Sequence, residues 1–159
     1  IYFMETCFIN SPLEITKIVG DENGISEISV SSEGDVSTTI PTELQEAVTQ
    51  INDYFDGNRQ NFDFKLSPKG TDFQQKVWQE LYTIPFGKTI SYLDLSKRLG
   101  DVKAIRAVAS ANGKNPLWIV IPCHRVIGSD GSLTGYAGGL WRKKWLLEHE
   151  SLAKQQSLF

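Results

Sequence analysis

The chain has 159 residues, 40% of them hydrophobic and 22% charged, with 16 Lys and Arg against 19 Asp and Glu. That length supports one compact domain or two small ones, and the composition excludes a disordered, collagenous or low-complexity chain. No apolar run approaches the roughly 20 residues that span a bilayer, and no basic segment leads into an apolar core at the start, so a cytoplasmic protein with no membrane partner is expected.

Two cysteines and two histidines are too few for a disulfide framework or a zinc site of four such ligands, so no structural metal is expected. The net charge of -3 conceals a division. Residues 1–68 hold 12 acidic and 3 basic side chains, whereas residues 69–159 hold 7 acidic and 13 basic. A polyanion would be drawn to the C-terminal half alone, although a solvated basic face is equally consistent with charge by itself.

The acidic part reads as a small α+β domain. The β-branched runs Ile15–Val19 and Ile25–Val30 bracket Asp21-Glu22-Asn23-Gly24 and predict a hairpin with a four- or five-residue connection. Thr42 with Gln45 forms a capping-box pattern, and Leu44, Val48, Ile51 and Phe55 follow at helical spacing until Gly57. Phe62, Phe64 and Leu66 alternate and predict one more short strand before Ser67-Pro68-Lys69-Gly70, which sets the domain boundary after residue 68. Nothing in this half suggests chemistry; Cys7 reads as an inert core thiol.

From Thr71 the pattern is helical. Thr71 with Gln74 is a second capping box, and Phe73, Val77, Trp78 and Leu81 share a face until Ile84-Pro85-Phe86-Gly87 breaks it. Ser91 with Asp94 starts a short helix carrying Tyr92, Leu95 and Leu99, closed at Gly100. Asp101 caps another, with Ile105, Val108 and Ala109 inward, ending at Asn112-Gly113. Two short helices around a glycine-containing turn, bearing Lys97, Arg98, Lys103 and Arg106, read as a helix-turn-helix. The expected fold class is therefore α+β: an N-terminal α/β domain over residues 1–68 with a short antiparallel sheet, then a mostly helical, winged-helix-like domain over residues 69–159.

After Asn115-Pro116 the run Trp118-Ile119-Val120-Ile121 predicts a strand feeding the turn Pro122-Cys123-His124-Arg125-Val126. A strand end closed by proline holds one side chain rigidly, and here it is a thiol. A lone cysteine is usually a buried hydrophobe. The adjacent imidazole and the basic surroundings favour a nucleophile instead, because cations and hydrogen bonds raise the thiolate fraction. A water between Cys123 and His124, with a carboxylate orienting the ring, would complete a relay.

These residues carry a resemblance. Pro122-Cys123-His124-Arg125-Val126-Ile127-Gly128, together with Ile90-Ser91-Tyr92, Arg106-Ala107-Val108, Asn115-Pro116, Tyr136-Ala137-Gly138-Gly139-Leu140 and Leu147-Glu148-His149-Glu150, resembles the O6-alkylguanine-DNA alkyltransferases. The strong match spans residues 71–150. Ser11-Pro12-Leu13 matches weakly, with Glu14 where the family has Gly, and the metal-binding residues of some relatives have no counterpart.

The resemblance implies a DNA repair protein that moves an alkyl group from guanine O6 to its own cysteine. Cys123 would attack, His124 would take its proton through a water, Glu150 would orient the imidazole, and Asn115 would hold the turn and align the thiol. Tyr92 would donate a hydrogen bond to the departing guanine. Arg106 would fill the space left by the flipped nucleotide, with Tyr92, Arg125, Ala107 and Ser110 also at the DNA; a helix-packing tyrosine and a phosphate-contacting arginine are the plainer alternatives. Tyr136, Ala137, Gly138 and Trp118 would surround the base.

A thioether, unlike a thioester, has no carbonyl for water to attack, so the cysteine would be consumed and no cofactor is needed. The expected partner is double-stranded DNA carrying O6-alkylguanine, met by a monomer. A non-enzymatic alkyl-base-binding protein is the alternative, disfavoured because such proteins lack the cysteine. A transcriptional regulator and a cysteine hydrolase are weaker rivals.

Overall fold

A computed structural model describes residues 3–156. The chain divides into two compact units, one reaching to Lys69 and including Pro116–Trp118, the other formed by Gly70–Asn115 and the chain from Ile119 onward.

The first unit is built on an antiparallel sheet in the order β1 (Glu5–Ile9), β2 (Thr16–Asp21), β3 (Gly24–Val30). Cys7, Ile9, Thr16 and Ile18 alternate into the core, as a half-buried strand requires. The β2–β3 connection is tighter than the sequence suggests. Asp21 pairs with Gly24, leaving Glu22 and Asn23 as the loop, and Asp21 Oδ1 accepts the Asn23 N–H at 2.8 Å. The register then slips at Val19/Gly20; a Cβ on Gly20 would lie 2.8 Å from the Gly24 carbonyl oxygen, so glycine is what lets the bulge form. Strand β1 has no counterpart in the sequence reading because its inward residues, Cys7 and Ile9, make too short an alternation.

Helix α1 (Gln45–Phe55) follows a 3-10 turn over Thr42–Leu44. Thr42 lies inside that turn, so the expected capping box does not form, and the Gln45 side chain donates to Ile40 O instead. The buried face is Leu44, Ala47, Gln50, Ile51 and Tyr54, with Val48 and Phe55 only half-buried. Buried Gln50 accepts the Asp63 N–H at 3.1 Å and also bonds the Asp63 carboxylate. This anchor, with the Tyr54–Phe62 and Phe62–Phe64 ring contacts, replaces the expected strand over Phe62–Leu66 by irregular chain that pairs with β3 at the isolated Ile25–Leu66 bridge.

The run Trp118–Ile121 is likewise not a strand. Leu117 bridges Ile28, Ile28 N–H donates to Pro116 O, Trp118 N–H donates to Ile28 O, and the chain then turns, with Ile119 in the left-handed region at φ 73°. All four residues are buried. A short apolar run reports burial, and burial here is met without a ladder.

In the second unit, α2 (Asp72–Leu81) carries a complete capping box between Thr71 and Gln74. Val77, Trp78 and Leu81 face inward while Phe73 is exposed, and Trp78 Nε1 donates to Ala111 O at 2.9 Å. Ser91 caps α3 (Tyr92–Arg98) by accepting the Asp94 N–H, and Gly100 takes φ 88° after it. Asp101 caps a 3-10 turn that leads into α4 (Ile105–Gly113), whose buried residues are Val108, Ala111 and Asn112; Ile105 and Ala109 are only half-buried. Strand β4 (Ile90–Ser91) runs parallel to β5 (Val126–Ile127), and α5 (Leu140–Gln156) ends the unit. No described helix is long and apolar enough to cross a membrane.

Candidate active site

The thiol sits at the start of a 3-10 turn over Cys123–Arg125. Pro122, with φ -81° and ψ 64°, centres an inverse γ-turn closed by Cys123 N–H to Ile121 O at 2.8 Å, a geometry that the proline ring favours. Asn115 Nδ2 donates to the same carbonyl at 2.6 Å, so one acceptor ties the end of α4 to the thiol-bearing turn. Cys123 is 7% exposed. Burial pushes its thiol up from the ordinary value; a hydrogen bond from Asn115, the positive charge of Lys143 and the N–H groups of Cys123 and His124 pull it back in part.

His124 and Glu150 are buried together, with His124 Nε2 2.7 Å from Glu150 Oε2. Burial lowers the His124 pKa against the pull of Glu150, so the ring is neutral at pH 7. Burial alone would raise Glu150, but His124 and Arg125 overcome it and hold the carboxyl well below its ordinary range. A carboxylate facing Nε2 makes that nitrogen the donor and leaves Nδ1 as the basic site. Nδ1 is buried and makes no hydrogen bond to the described protein atoms.

Arg125 is placed differently from the sequence expectation. Its guanidinium is buried, donates through Nε to Glu150 Oε1 at 2.8 Å and through Nη2 to Oε2 at 3.0 Å, and through Nη1 to Ile84 O at 2.7 Å. These bonds turn the planar donor fork inward, so Arg125 neutralises Glu150 from a buried position.

Tyr92, at the start of α3, donates its hydroxyl to Thr134 O at 3.1 Å. Burial raises its pKa, with hydrogen bonds from the side chains of Thr134 and Asn112 opposing and the Cys123 charge adding. Lys143, fully buried, donates to the same Thr134 carbonyl at 2.8 Å, and its Nζ lies 5.8 Å from the centre of the Tyr92 ring. Burial lowers the ammonium to about 8, the Cys123 charge opposing. The sequence reading missed Lys143 and Asn112. A run of basic residues looks like a solvated face, but Lys143, Leu146 and Glu150 fall at i, i+3 and i+7, a spacing that would have placed Lys143 on the buried side of α5.

Beside these groups a cavity of about 610 Å³ is lined by Tyr92, Ile105, Arg106, Ala109, Gly113, Thr134, Gly135, Tyr136 and Ala137. Cys123 does not line it; Tyr92 belongs both to its wall and to the set of groups coupled to the thiol. Gly138 is held at the edge of the wall, its carbonyl accepting from Arg142 Nη1. Ala107 and Ser110 are exposed on α4 outside the lining, while Arg106 is exposed at the cavity. Trp118 is not a lining residue: it is buried in the segment belonging to the first unit, its backbone spent on Ile28. Among the described residues no three His, Cys, Asp or Glu side chains are grouped to hold a metal ion.

Arg125→Ala leaves the Glu150 carboxylate buried with its main counter-charge gone, and is expected to cost about 3–5 kcal/mol in urea denaturation; a phosphate-contacting surface arginine would cost almost nothing. The lowered pKa of His124 gives a second expectation. The unfolded chain binds a proton on this ring below about pH 6.5 that the folded protein refuses, so stability falls as pH drops through that range. Glu150, depressed in the fold, adds a loss of the same sign at lower pH. Denaturation of His124→Asn should show a smaller slope between pH 7 and 5.5 than the parent.

Two family models cover nearly the whole chain: the 6-O-methylguanine DNA methyltransferase DNA binding domain matches residues 72–152 and the ribonuclease-like domain of the same family matches residues 4–68. The methylated-DNA–protein-cysteine methyltransferase of Methanosarcina barkeri is 44% identical over 149 residues, covering 89% of this chain and 94% of that protein. The crystal structure of the Mycobacterium tuberculosis O6-methylguanine methyltransferase superposes with a TM-score of 0.86 at 40% identity, covering 95% of this chain and 94% of that one. The crystal structure of Mycobacterium tuberculosis OGT in complex with DNA gives a TM-score of 0.84 at 42% identity over 92% of each chain. With the thiol, imidazole, carboxylate and tyrosine gathered in its second unit, the chain belongs to the 6-O-methylguanine DNA methyltransferase family.

Proposed function

We propose that this protein repairs DNA by transferring a methyl or other alkyl group from O6 of guanine to Cys123, once per molecule, and that residues 69–159 carry both DNA binding and the transfer. The observation that supports it most directly is the buried His124 ring, with Nε2 committed to Glu150 and Nδ1 left as the basic nitrogen, on the residue that directly follows Cys123. His124 Nδ1 takes the Cys123 proton by relay through a water. The thiolate attacks the alkyl carbon, the carbon–O6 bond breaks, and its electron pair stays with the guanine. Tyr92 donates a hydrogen bond to the departing purine, and the proton taken up by His124 passes on through water to the guanine, which leaves as the neutral base. In net terms one proton passes from thiol to guanine and one alkyl group passes back.

Arg106, exposed at the cavity on α4, occupies the duplex where the nucleotide has been extruded, while Tyr136 and Ala137 contact the flipped base. Ala107 and Ser110, exposed on the same helix, approach the DNA beside it. The proposed catalytic groups all come from one unit of one chain, which supports action as a monomer. A thiol used only once needs a reducing compartment, which supports the cytoplasm.

After incubation with an oligonucleotide containing O6-methylguanine, intact-mass and peptide analysis should find one methyl group per molecule, on Cys123 and not on Cys7. The Cys7 thiol is pushed up to about 11 by burial, which leaves almost no thiolate. Modification of Cys7, or repeated turnover, would contradict the proposal.

Arg106→Ala should slow transfer from duplex DNA far more than transfer from free O6-methylguanine, which requires no flipping. Equal losses with both donors would make Arg106 part of the scaffold and not a stand-in for the extruded nucleotide.

A further inference from the structure

The cavity wall Gly135–Ala137 is tethered at both ends to the first turn of α5. At its start, the Thr134 carbonyl accepts from Lys143 Nζ and Tyr92 Oη. At its end, the Gly138 carbonyl accepts from Arg142 Nη1 at 2.6 Å. A Gly139 N–H to Tyr136 O bond closes the turn, and the Arg142 N–H donates to Gly139 O. Tyr136 and Ala137, which line the cavity, therefore sit on a short strap whose far end is held by the Arg142 guanidinium together with the backbone bonds at Gly139.

That guanidinium is itself braced. Arg142 Cζ lies 4.3 Å from the centre of the Trp141 ring, and Trp141 is 50% exposed. An arginine in solvent samples many rotamers; stacking on an indole restricts them and keeps the donor aimed at one acceptor. Glycine at 138 closes the arrangement, since a Cβ there would meet the Tyr136 ring at 2.9 Å and Arg142 Cδ at 3.6 Å. The strap is thus packed between the ring that lines the cavity and the arginine that holds it.

We propose that Arg142, braced by Trp141, is a positioning residue that sets how far the Tyr136–Ala137 wall of the cavity can yield and so limits which O6 substituents are transferred. A methyl group is accommodated with the strap anchored. A bulky group pushes Tyr136 and Ala137 outward and must break the Arg142–Gly138 bond to do so. The inference rests on the alkyl-transfer reading above.

The test compares single-turnover rates with two free bases, O6-benzylguanine and O6-methylguanine, so that neither DNA affinity nor flipping enters. Arg142→Ala should raise the benzyl-to-methyl rate ratio about tenfold, the kinetic equivalent of one charge-assisted hydrogen bond. Arg142→Lys keeps the charge but loses the planar stack, and should behave like the alanine variant. Trp141→Ala should raise the ratio by a smaller factor, and Trp141→Phe, which keeps an aromatic face, should restore the parent value. A ratio unchanged in Arg142→Ala and Arg142→Lys overturns the proposal. So does an equal change in rate for both bases, which leaves the ratio where it was. Failure of the parent protein to accept an alkyl group from any donor would instead overturn the transfer reading itself.

Discussion

A single buried carboxylate organises the second unit. Glu150 lies on α5 with almost no access to solvent, and an isolated charge there would be too costly to keep. Arg125 supplies the opposite charge through two parallel bonds, and His124 supplies a third donor. Both partners belong to the turn that carries Cys123. Arg125 reaches further, to the Ile84 carbonyl beyond the end of α2. Three segments distant in sequence are thereby held to one point, and the thiol's place is fixed as a by-product of satisfying a charge.

The same arrangement settles the protonation states. With Arg125 neutralising Glu150, burial outweighs the attraction between Glu150 and a charged ring, and His124 stays neutral. The facing carboxylate then selects the tautomer, which leaves the buried Nδ1 basic. Burial also keeps Cys123 largely as the thiol, against the counter-pull of Asn115 and Lys143. For a residue that can be used once this is an advantage, because oxidants and stray electrophiles attack the thiolate. The nucleophile is withheld until a base and a substrate are both in place.

Rigidity and compliance are distributed around this point. The turn at Pro122 is closed by backbone bonds and by Asn115, so the sulfur has little freedom. The cavity wall from Thr134 to Gly138 is irregular chain held at its ends by side chains of Tyr92, Lys143 and Arg142 and by one backbone bond to Tyr136 O, and side-chain anchors yield more readily than a γ-turn. A reaction centre that must be fixed and a pocket that must admit groups of different size thus use different kinds of restraint.

Much of this was legible in the sequence. The capping residues Thr71 and Ser91, the helices they start and the β2–β3 hairpin follow from local rules, and the Cys123–His124–Glu150 set from the resemblance to a known family. Other features depended on partners far along the chain. Trp118–Ile121 is apolar enough for a strand, but Ile28 takes the backbone of Trp118 and the chain turns. Phe62–Leu66 alternates as a strand should, but Gln50 claims Asp63. The Thr42–Gln45 pattern lost to a 3-10 turn, and Arg125 and Lys143, which in sequence are two more basic residues among thirteen, are buried because Glu150, Thr134 and Tyr92 offer them acceptors or a ring. Sequence by itself determined the periodic elements and the reactive residue types, since these rest on neighbours within a few positions. Which nitrogen of His124 is basic, which arginine pairs inward and what anchors the cavity wall were decided only by the tertiary structure, because each depends on the burial of a charge by residues remote in the chain.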